Sequence, residues 1–215
     1  MKNICRPSKE LAEFIGIMLG DGSIGIYKSI SNGQIRKQYR LKVTTHSEDD
    51  KEYSLFVSDL IEKIFLKKPL IRKKKNENTV EVLLFSKKIV NLSLENQLLT
   101  HAPKWNRASI PDTILQSDFD KDVLRGILDT DGSVVRTMNN GQIYPRLELK
   151  ISPSPMQKQI IQILQKYNLN FRVHSIGKGK VRLQANGLIQ LKKWSKLVGF
   201  NNPKHLKKVN TFLNR

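Results

Sequence analysis

The sequence predicts an α+β fold made of two copies of one αββαββα unit. Three observations predict it. First, short strings recur in the same order. Asp21-Gly22-Ser23-Ile24 returns as Asp131-Gly132-Ser133-Val134, Asn32-Gly33-Gln34-Ile35 as Asn140-Gly141-Gln142-Ile143, Lys42-Val43-Thr44 as Lys150-Ile151-Ser152, and Pro103-Lys104 as Pro203-Lys204. The offset drifts from 110 to 108 to 100, as loop deletions in the second copy would produce. A period this long marks a duplicated domain rather than a solenoid. Second, each Asp-Gly closes a stretch with apolar residues at helical spacing. Third, the segments after it alternate apolar and polar with period two, the pattern of a strand with one buried face. The expected organisation is a basic arm over 1–7, a first half over 8–99, a linker over 100–117 and a second half over 118–215.

Taken in order, Ser8 caps a helix to about Gly20 with Leu11, Phe14, Ile15, Met18 and Leu19 as its apolar stripe. Residues 23–30 form a strand, and Ser31-Asn32-Gly33-Gln34 is a hairpin turn signal. In the next strand Ile35, Tyr39, Leu41 and Val43 face the core, while Arg36, Gln38, Arg40, Lys42 and Thr44 face away. Ser47-x-x-Asp50 resembles a capping box and opens a helix with Tyr53, Phe56, Val57, Leu60, Ile61, Ile64 and Phe65 inward. Strands over 71–75 and 79–85 flank an Asn76-Glu77-Asn78 turn, and a helix fills 87–99. The linker holds Pro103 and Pro111. Ser117-x-x-Asp120 reads as the cap of the second motif helix, in which Leu124, Ile127 and Leu128 form the stripe. The second copy then repeats the order. Ser154-Pro155-Met156-Gln157 reads as a capping box with proline at the first helical position. Residues 171–176 and 180–186 make a hairpin, a helix runs to about Val198, and a basic tail closes the chain.

The chain has 38 Lys+Arg against 19 Asp+Glu, a net charge of +19. An anionic partner is the default expectation for such an excess, and nucleic acid fits it better than membrane. No apolar run approaches a membrane span, and residues 1–7 lack the apolar core of a secretion signal. A cytoplasmic or organelle-interior protein is therefore expected. With one cysteine, Cys5, the chain has no internal disulfide and no cysteine-clustered zinc site.

The chemistry centres on Asp21 and Asp131. Each stands at a helix C-terminus, where the macrodipole is already negative. Small residues occupy matching places on the two helices, Gly16 and Gly20 in one and Gly126 and Thr130 in the other. Packed about a pseudo-twofold axis, the helices would approach closely and bring the two carboxylates together. Divalent cations relieve such repulsion. Asp21, Asp131 and the freed carbonyls of Gly20 and Thr130 are hard oxygen ligands of the kind Mg²⁺ prefers. A pair of such ions suits in-line attack at a phosphodiester. Asp129-Thr130-Asp131-Gly132 is no calcium loop, because the later ligands and closing Glu are absent. The outward faces of the sheets would join as one basic trough. Arg36, Gln38, Arg40, Lys42, Thr44, Tyr144, Arg146, Lys150, Lys180, Arg182, Gln184 and Asn186 line it, with arginine suited to guanine, glutamine and asparagine to adenine, and lysine to phosphate.

Leu124–Gly132 is close to the LAGLIDADG consensus, and Phe14–Gly22 is a looser copy with Phe14 for the opening leucine and Leu19 for the usual acidic or polar residue. Over nearly its whole length the chain resembles a single-chain, two-motif LAGLIDADG homing endonuclease. The resemblance implies a saddle of two curved antiparallel sheets with the motif helices at the interface. It implies a monomer that makes a staggered double-strand break in a long DNA target, with Asp21 and Asp131 on Mg²⁺ and Mn²⁺ as a substitute. By position, Lys104 and Lys204 are the candidates for basic residues at the scissile phosphates, with Arg107 behind them. The polar position ending the second strand falls on Thr45 or His46 and on Ser152 or Pro153, so the half-sites need not be equal. The alternative is a non-cleaving binder of the same fold, an intron RNA maturase or a DNA-binding regulator. Both retained acids favour cleavage, and intron RNA stays open as a further partner.

Overall fold

In the computed structural model, which describes residues 6–31 and 33–214, the first helix starts where the Ser8 hydroxyl accepts a hydrogen bond from Leu11 N at 3.1 Å. Residues 1–5 of the expected arm, Asn32 of the first turn and Arg215 lie outside the described residues. Helix α1 (Lys9–Leu19) leads into β1 (Gly22–Ser31), β2 (Gln34–His46), α2 (Lys51–Phe65), β3 (Leu70–Lys73), β4 (Thr79–Phe85) and α3 (Lys87–Glu95). A short helix, α4 (Asp112–Leu115), lies in the linker. The second half then runs α5 (Asp120–Asp131), β5 (Gly132–Asn139), β6 (Gln142–Ile151), α6 (Pro155–Lys166), β7 (Arg172–Ser175), β8 (Val181–Asn186), α7 (Leu188–Leu197) and α8 (Pro203–Leu213). The two four-stranded antiparallel sheets have matching orders, β1-β2-β4-β3 and β5-β6-β8-β7. The predicted duplicated α+β architecture is the one observed. Among the described residues no helix is long and apolar enough to cross a membrane.

Alternation sets the faces. Leu41 and Val43 are buried while Lys42 and Thr44 are only partly covered, and Leu147, Leu149 and Ile151 are buried in the same way along β6. The apolar faces meet the helices in one core that spans both halves. Expectation fails at the hairpin tips. Ile35, assigned to the core face, is 68% exposed, because β1 and β2 extend past the helices that would cover it. In the second hairpin Asn140 (φ 47°) and Gly141 (φ 75°) form the two-residue turn with positive φ at both positions.

The close helix approach follows from two glycines. A Cβ on Gly16 would lie 2.3 Å from Val123 O, and one on Gly126 would lie 2.2 Å from Glu13 O. One turn further on, a Cβ on Gly20 would meet Thr130 Oγ1 at 2.0 Å. The backbones of α1 and α5 therefore touch where glycine leaves room.

A buried polar network brackets this contact. Arg125 is 6% exposed. Its guanidinium reaches Glu13 at 2.9 Å, Asp122 at 2.6 Å and the Val198 carbonyl at 2.9 Å. Glu13 also accepts from Asn201 Nδ2 at 2.5 Å. Charges this buried are tolerable only when each has its partners.

Four expected local features are corrected. Helix α2 begins at Lys51, and its N-cap Asp50 makes no capping bond to the helix. Its carboxylate accepts instead from His46 N, Asn202 Nδ2 and Lys204 Nζ. Asp120 likewise is no partner of a Ser117 cap. It accepts from Lys166 Nζ at 2.7 Å and Tyr167 OH at 2.6 Å, tying α5 to the end of α6. At α6 proline does occupy the first turn, but Ser154 makes no capping bond and Gln157 Nε2 donates to Ile151 O and Gly179 O. The basic tail is helix α8, which buries His205, Val209 and Phe212 on one side.

The Ser8 cap gives a small, clean test. Ser8→Ala is expected to cost about 1 kcal/mol in a urea titration, with the slope against denaturant unchanged.

Candidate active site

Helix α1 stops at Gly20 and α5 at Gly132, each through a cap N–H that donates to the carbonyl four residues back. Asp21 and Asp131 thus emerge side by side where the two helices end. A Cβ on Gly20 would stand 3.5 Å from Asp131 Cγ. Both carboxylates meet solvent, yet the dense protein around them limits how much water can gather at the charge, and that second effect sets their acidity. Burial, then the negative charge of Asp131, pushes Asp21 from 3.8 up to about 6, against the pull of Lys104 and Lys204. Burial also raises Asp131, with Lys104 opposing.

Lys104 reaches this point from the linker. Its Nζ donates to three carbonyl oxygens at the end of α1: Met18 at 2.6 Å, Gly20 at 2.5 Å and Gly22 at 2.7 Å. Three donors of one ammonium group meet three acceptors, at the helix end that favours a cation. Burial lowers its pKa from 10.5 to about 8, and the two aspartates hold it from falling further. The Gly20 carbonyl, expected as a metal ligand, is one of these three acceptors. Thr130, the other expected carbonyl ligand, turns its hydroxyl back to Gly126 O and Ile127 O.

Lys204 is not the mirror image of Lys104. Its ammonium pairs with Asp50 at 2.9 Å. Asn202, fully buried, holds the same Asp50 oxygen at 2.9 Å and the Asp129 carbonyl at 2.9 Å. The position of Asp50 before α2 is filled by Ser154 before α6, so the second copy has no such carboxylate. One half-site therefore carries a free-standing lysine cap and the other an ion pair. Sequence reasoning placed Asp50 in a capping box and did not single out Asn202, and no local pattern pairs the two, because they lie 152 residues apart.

The remaining candidates divide. Arg107 donates to His101 O and Pro103 O and so shapes the linker. Thr45 turns inward to Ser54 at 2.7 Å, while His46 is partly exposed at the strand end. Ser152 lines a recess of about 220 Å³ with Lys104, Trp105, Asp131 and Lys150. Trp105 stands 72% exposed on it. The Pro153 ring instead faces Gly179 of the β7–β8 turn, where an added Cβ would meet it at 2.9 Å.

Opposite the core, the sheet faces carry the expected basic and polar residues. Arg40 sits over the Tyr27 ring at 4.2 Å from its centroid. Lys42 and Thr44 follow Arg40 along β2. Tyr144, Arg146 and Lys150 share the outward face of β6 with Arg182, Gln184 and Asn186 of β8, as their register requires. Arg36 and Gln38 lie toward the tip of the first hairpin. Lys180 belongs to the turn before β8 rather than to the strand. Each face also holds a glutamate among these cations, Glu81 in one and Glu148 in the other.

A model of the LAGLIDADG DNA endonuclease family matches residues 13–188, a span that includes both Asp-Gly motifs and all eight strands. Among characterised protein sequences there is no match. Among solved structures, the chain is similar to I-DmoI in complex with DNA and Ca, with 16% identity, a TM-score of 0.64, and coverage of 96% of this chain and 98% of that one. It is similar to I-DmoI in complex with DNA and Mn at 18% identity and a TM-score of 0.59, covering 89% and 96%. For the meganuclease I-SmaMI bound to uncleaveable DNA the identity is 11% and the TM-score 0.62, covering 92% and 87%. At these identities the likeness is one of fold.

Proposed function

Because the chain belongs to the LAGLIDADG DNA endonuclease family, we propose that it is a monomeric homing endonuclease that binds one long duplex DNA site and hydrolyses a phosphodiester in each strand, leaving staggered ends. The observation that supports this most is the meeting of Asp21 and Asp131 at abutting helix ends, with the acidity of Asp21 shifted to about 6. Such a shift marks negative charge that the protein alone does not relieve. Two hard oxygen donors in that state fit a small divalent cation that takes its other ligands from water and substrate phosphate. Asp21 and Asp131 would hold Mg²⁺, with Mn²⁺ as a substitute and more than one ion in the site. When bound, the ion neutralises the carboxylates and polarises the scissile phosphates.

The chain's own residues do the rest. The sheet faces hold the duplex through lysine and arginine contacts to phosphate and through polar contacts to base edges. Lys104 presents a positive charge beside both aspartates and fixes the end of α1, so that Asp21 is already placed when DNA arrives. Lys204, bound to Asp50, offers its charge in the other half-site only as far as that pair allows. A non-cleaving binder has no use for two adjacent carboxylates of raised pKa, which favours the nuclease reading over the binder.

The test is a cleavage selection on a random duplex library with Mg²⁺ or Mn²⁺, followed by sequencing of the cut ends. One preferred duplex cut in both strands with offset ends is the expected result. A protein that selects one duplex tightly yet leaves it whole with either ion would overturn the proposal.

A further inference from the structure

Each sheet face places one glutamate at the centre of its basic side chains. On β6, Glu148 has Arg146 at 3.3 Å, Arg182 at 3.4 Å and Lys150 at 3.8 Å, and Gln184 Nε2 donates to it at 2.9 Å. In the first sheet, Glu81 accepts from Lys42 at 3.1 Å and Arg72 at 2.6 Å, with Lys74 at 4.0 Å. Both lie on the sheet face opposite the apolar one: Leu147 and Leu149 flank Glu148, and Val80 and Val82 flank Glu81, which is covered to 2% exposure. The two are not duplicates. The repeat that aligns Lys150 with Lys42 aligns Glu148 with Arg40, and Glu81 comes from a different strand, β4. The same device thus stands in each half at unrelated positions.

A carboxylate on a DNA-facing surface weakens phosphate attraction, so its presence needs a reason. We infer that Glu148 and Glu81 are positioning residues for sequence recognition, holding the basic and amide side chains of their sheet away from phosphate and in fixed orientation toward base edges. The inference rests on the DNA-binding reading above. A loose arginine on a long stem turns to the nearest phosphate and binds all sequences alike. An arginine drawn against a fixed carboxylate, as Arg72 is by hydrogen bonds and Arg146 and Arg182 are by charge at 3.3 and 3.4 Å, keeps its N–H groups in one direction. Recognition by pairs of hydrogen bonds to one base depends on that direction. Arg146 and Arg182 are only partly exposed, at 28% and 38% of their side chains, while Lys150 stays more open at 59%. Glu148 also fixes which way the Gln184 amide faces.

The experiment uses the full-length protein, the duplex that the wild type selects from a library, and a scrambled duplex of equal length. Affinities are measured over a salt series for the wild type, Glu148→Gln and Glu81→Gln, beside melting temperatures. Glu148→Gln is expected to bind the scrambled duplex more tightly, with a log–log salt slope steeper by about 0.9 for each side chain released to phosphate. Its discrimination should fall roughly tenfold at base pairs under the second sheet only. Glu81→Gln should do the same under the first. Unchanged discrimination and slope in folded variants would overturn the inference. So would an equal loss of affinity for both duplexes with a lowered melting temperature, which is what a merely structural role produces. A wild type that prefers no duplex to the scrambled one sinks the DNA reading itself, and this inference with it.

Discussion

Asp21→Asn is expected to abolish strand cleavage while leaving duplex binding intact, and to melt at a higher temperature than the wild type in metal-free buffer at pH 7.5. Loss of one of two shared acidic groups should cost about a thousandfold in rate, equivalent to ~4 kcal/mol. The stability gain follows from linkage. The Asp21 pKa is about 6 in the folded protein against an ordinary 3.8. Between those values the folded state binds more protons than the unfolded one, so stability falls as pH rises. The contribution is fully present below about 3.8 and lost once pH has risen through 6. Asparagine carries no charge to be penalised and escapes that loss. Because the carboxylate also meets solvent, the gain is discounted to on the order of 1 kcal/mol, or roughly 2–4 °C for a chain of this length. Melting curves with a chelator at pH 7.5 and pH 4 check it: the advantage should vanish at the lower pH, and an equal advantage at both would contradict the linkage. In the wild type at limiting metal, cleavage should decline below pH 6, where a proton competes with the ion for Asp21. It should decline again above about pH 8 as Lys104 loses its own.

Gly126→Ala should do the greatest damage to the fold for the smallest change in chemistry. The added methyl meets Glu13 O at 2.2 Å and Ile17 N at 2.7 Å, both backbone atoms. No rotamer can relieve that contact, so α1 and α5 must part. Overpacking in a close-packed interior costs about 1–3 kcal/mol, and a clash of backbone on backbone belongs at the upper end. A fall of roughly 6–12 °C in melting temperature is expected. Activity should fall further than the unfolded fraction explains, because the same separation moves Asp21 away from Asp131. Gly33→Ala separates clash from backbone strain: its Cβ would meet nothing within 4 Å, so only its φ of +71° opposes the alanine, at about 1–2 kcal/mol and with no loss of the helix contact. Equal melting temperatures for Gly126→Ala and wild type would mean that the helices are not held by glycine contact.

What the sequence showed was whatever depends on near neighbours. The stripes at i, i+3 and i+4 and the Asp-Gly stops placed both motif helices, and alternation separated Leu41 and Val43 from Lys42 and Thr44. The errors arise where distant residues claim a side chain. Ser47-x-x-Asp50 has the spacing of a capping box, but Asn202 and Lys204 take the Asp50 carboxylate. Ser117-x-x-Asp120 fails in the same way, through Lys166 and Tyr167. Helix α8 was hidden by its charge: Lys204, Lys207 and Lys208 suggest a solvated tail, while His205, Val209 and Phe212 supply a narrow buried stripe. Arg125 and Glu13 look like surface charges in the sequence and are interior partners in the fold. Alternation also overreached at Ile35, because a strand's period tells which way a residue points and not whether anything lies there to cover it.

The Asn202 bridge also bears on when the molecule becomes complete. It joins Asp50 to a residue 152 positions later, and Asn201 reaches Glu13 across 188. Contacts this remote are formed late and slow the search for the native state. During synthesis the first half can assemble its sheet, but Asp50 and Glu13 wait for partners 152 and 188 residues further along the chain. The half-site that holds Asp50 and Lys204 therefore stays unfinished until residues from both halves have been made.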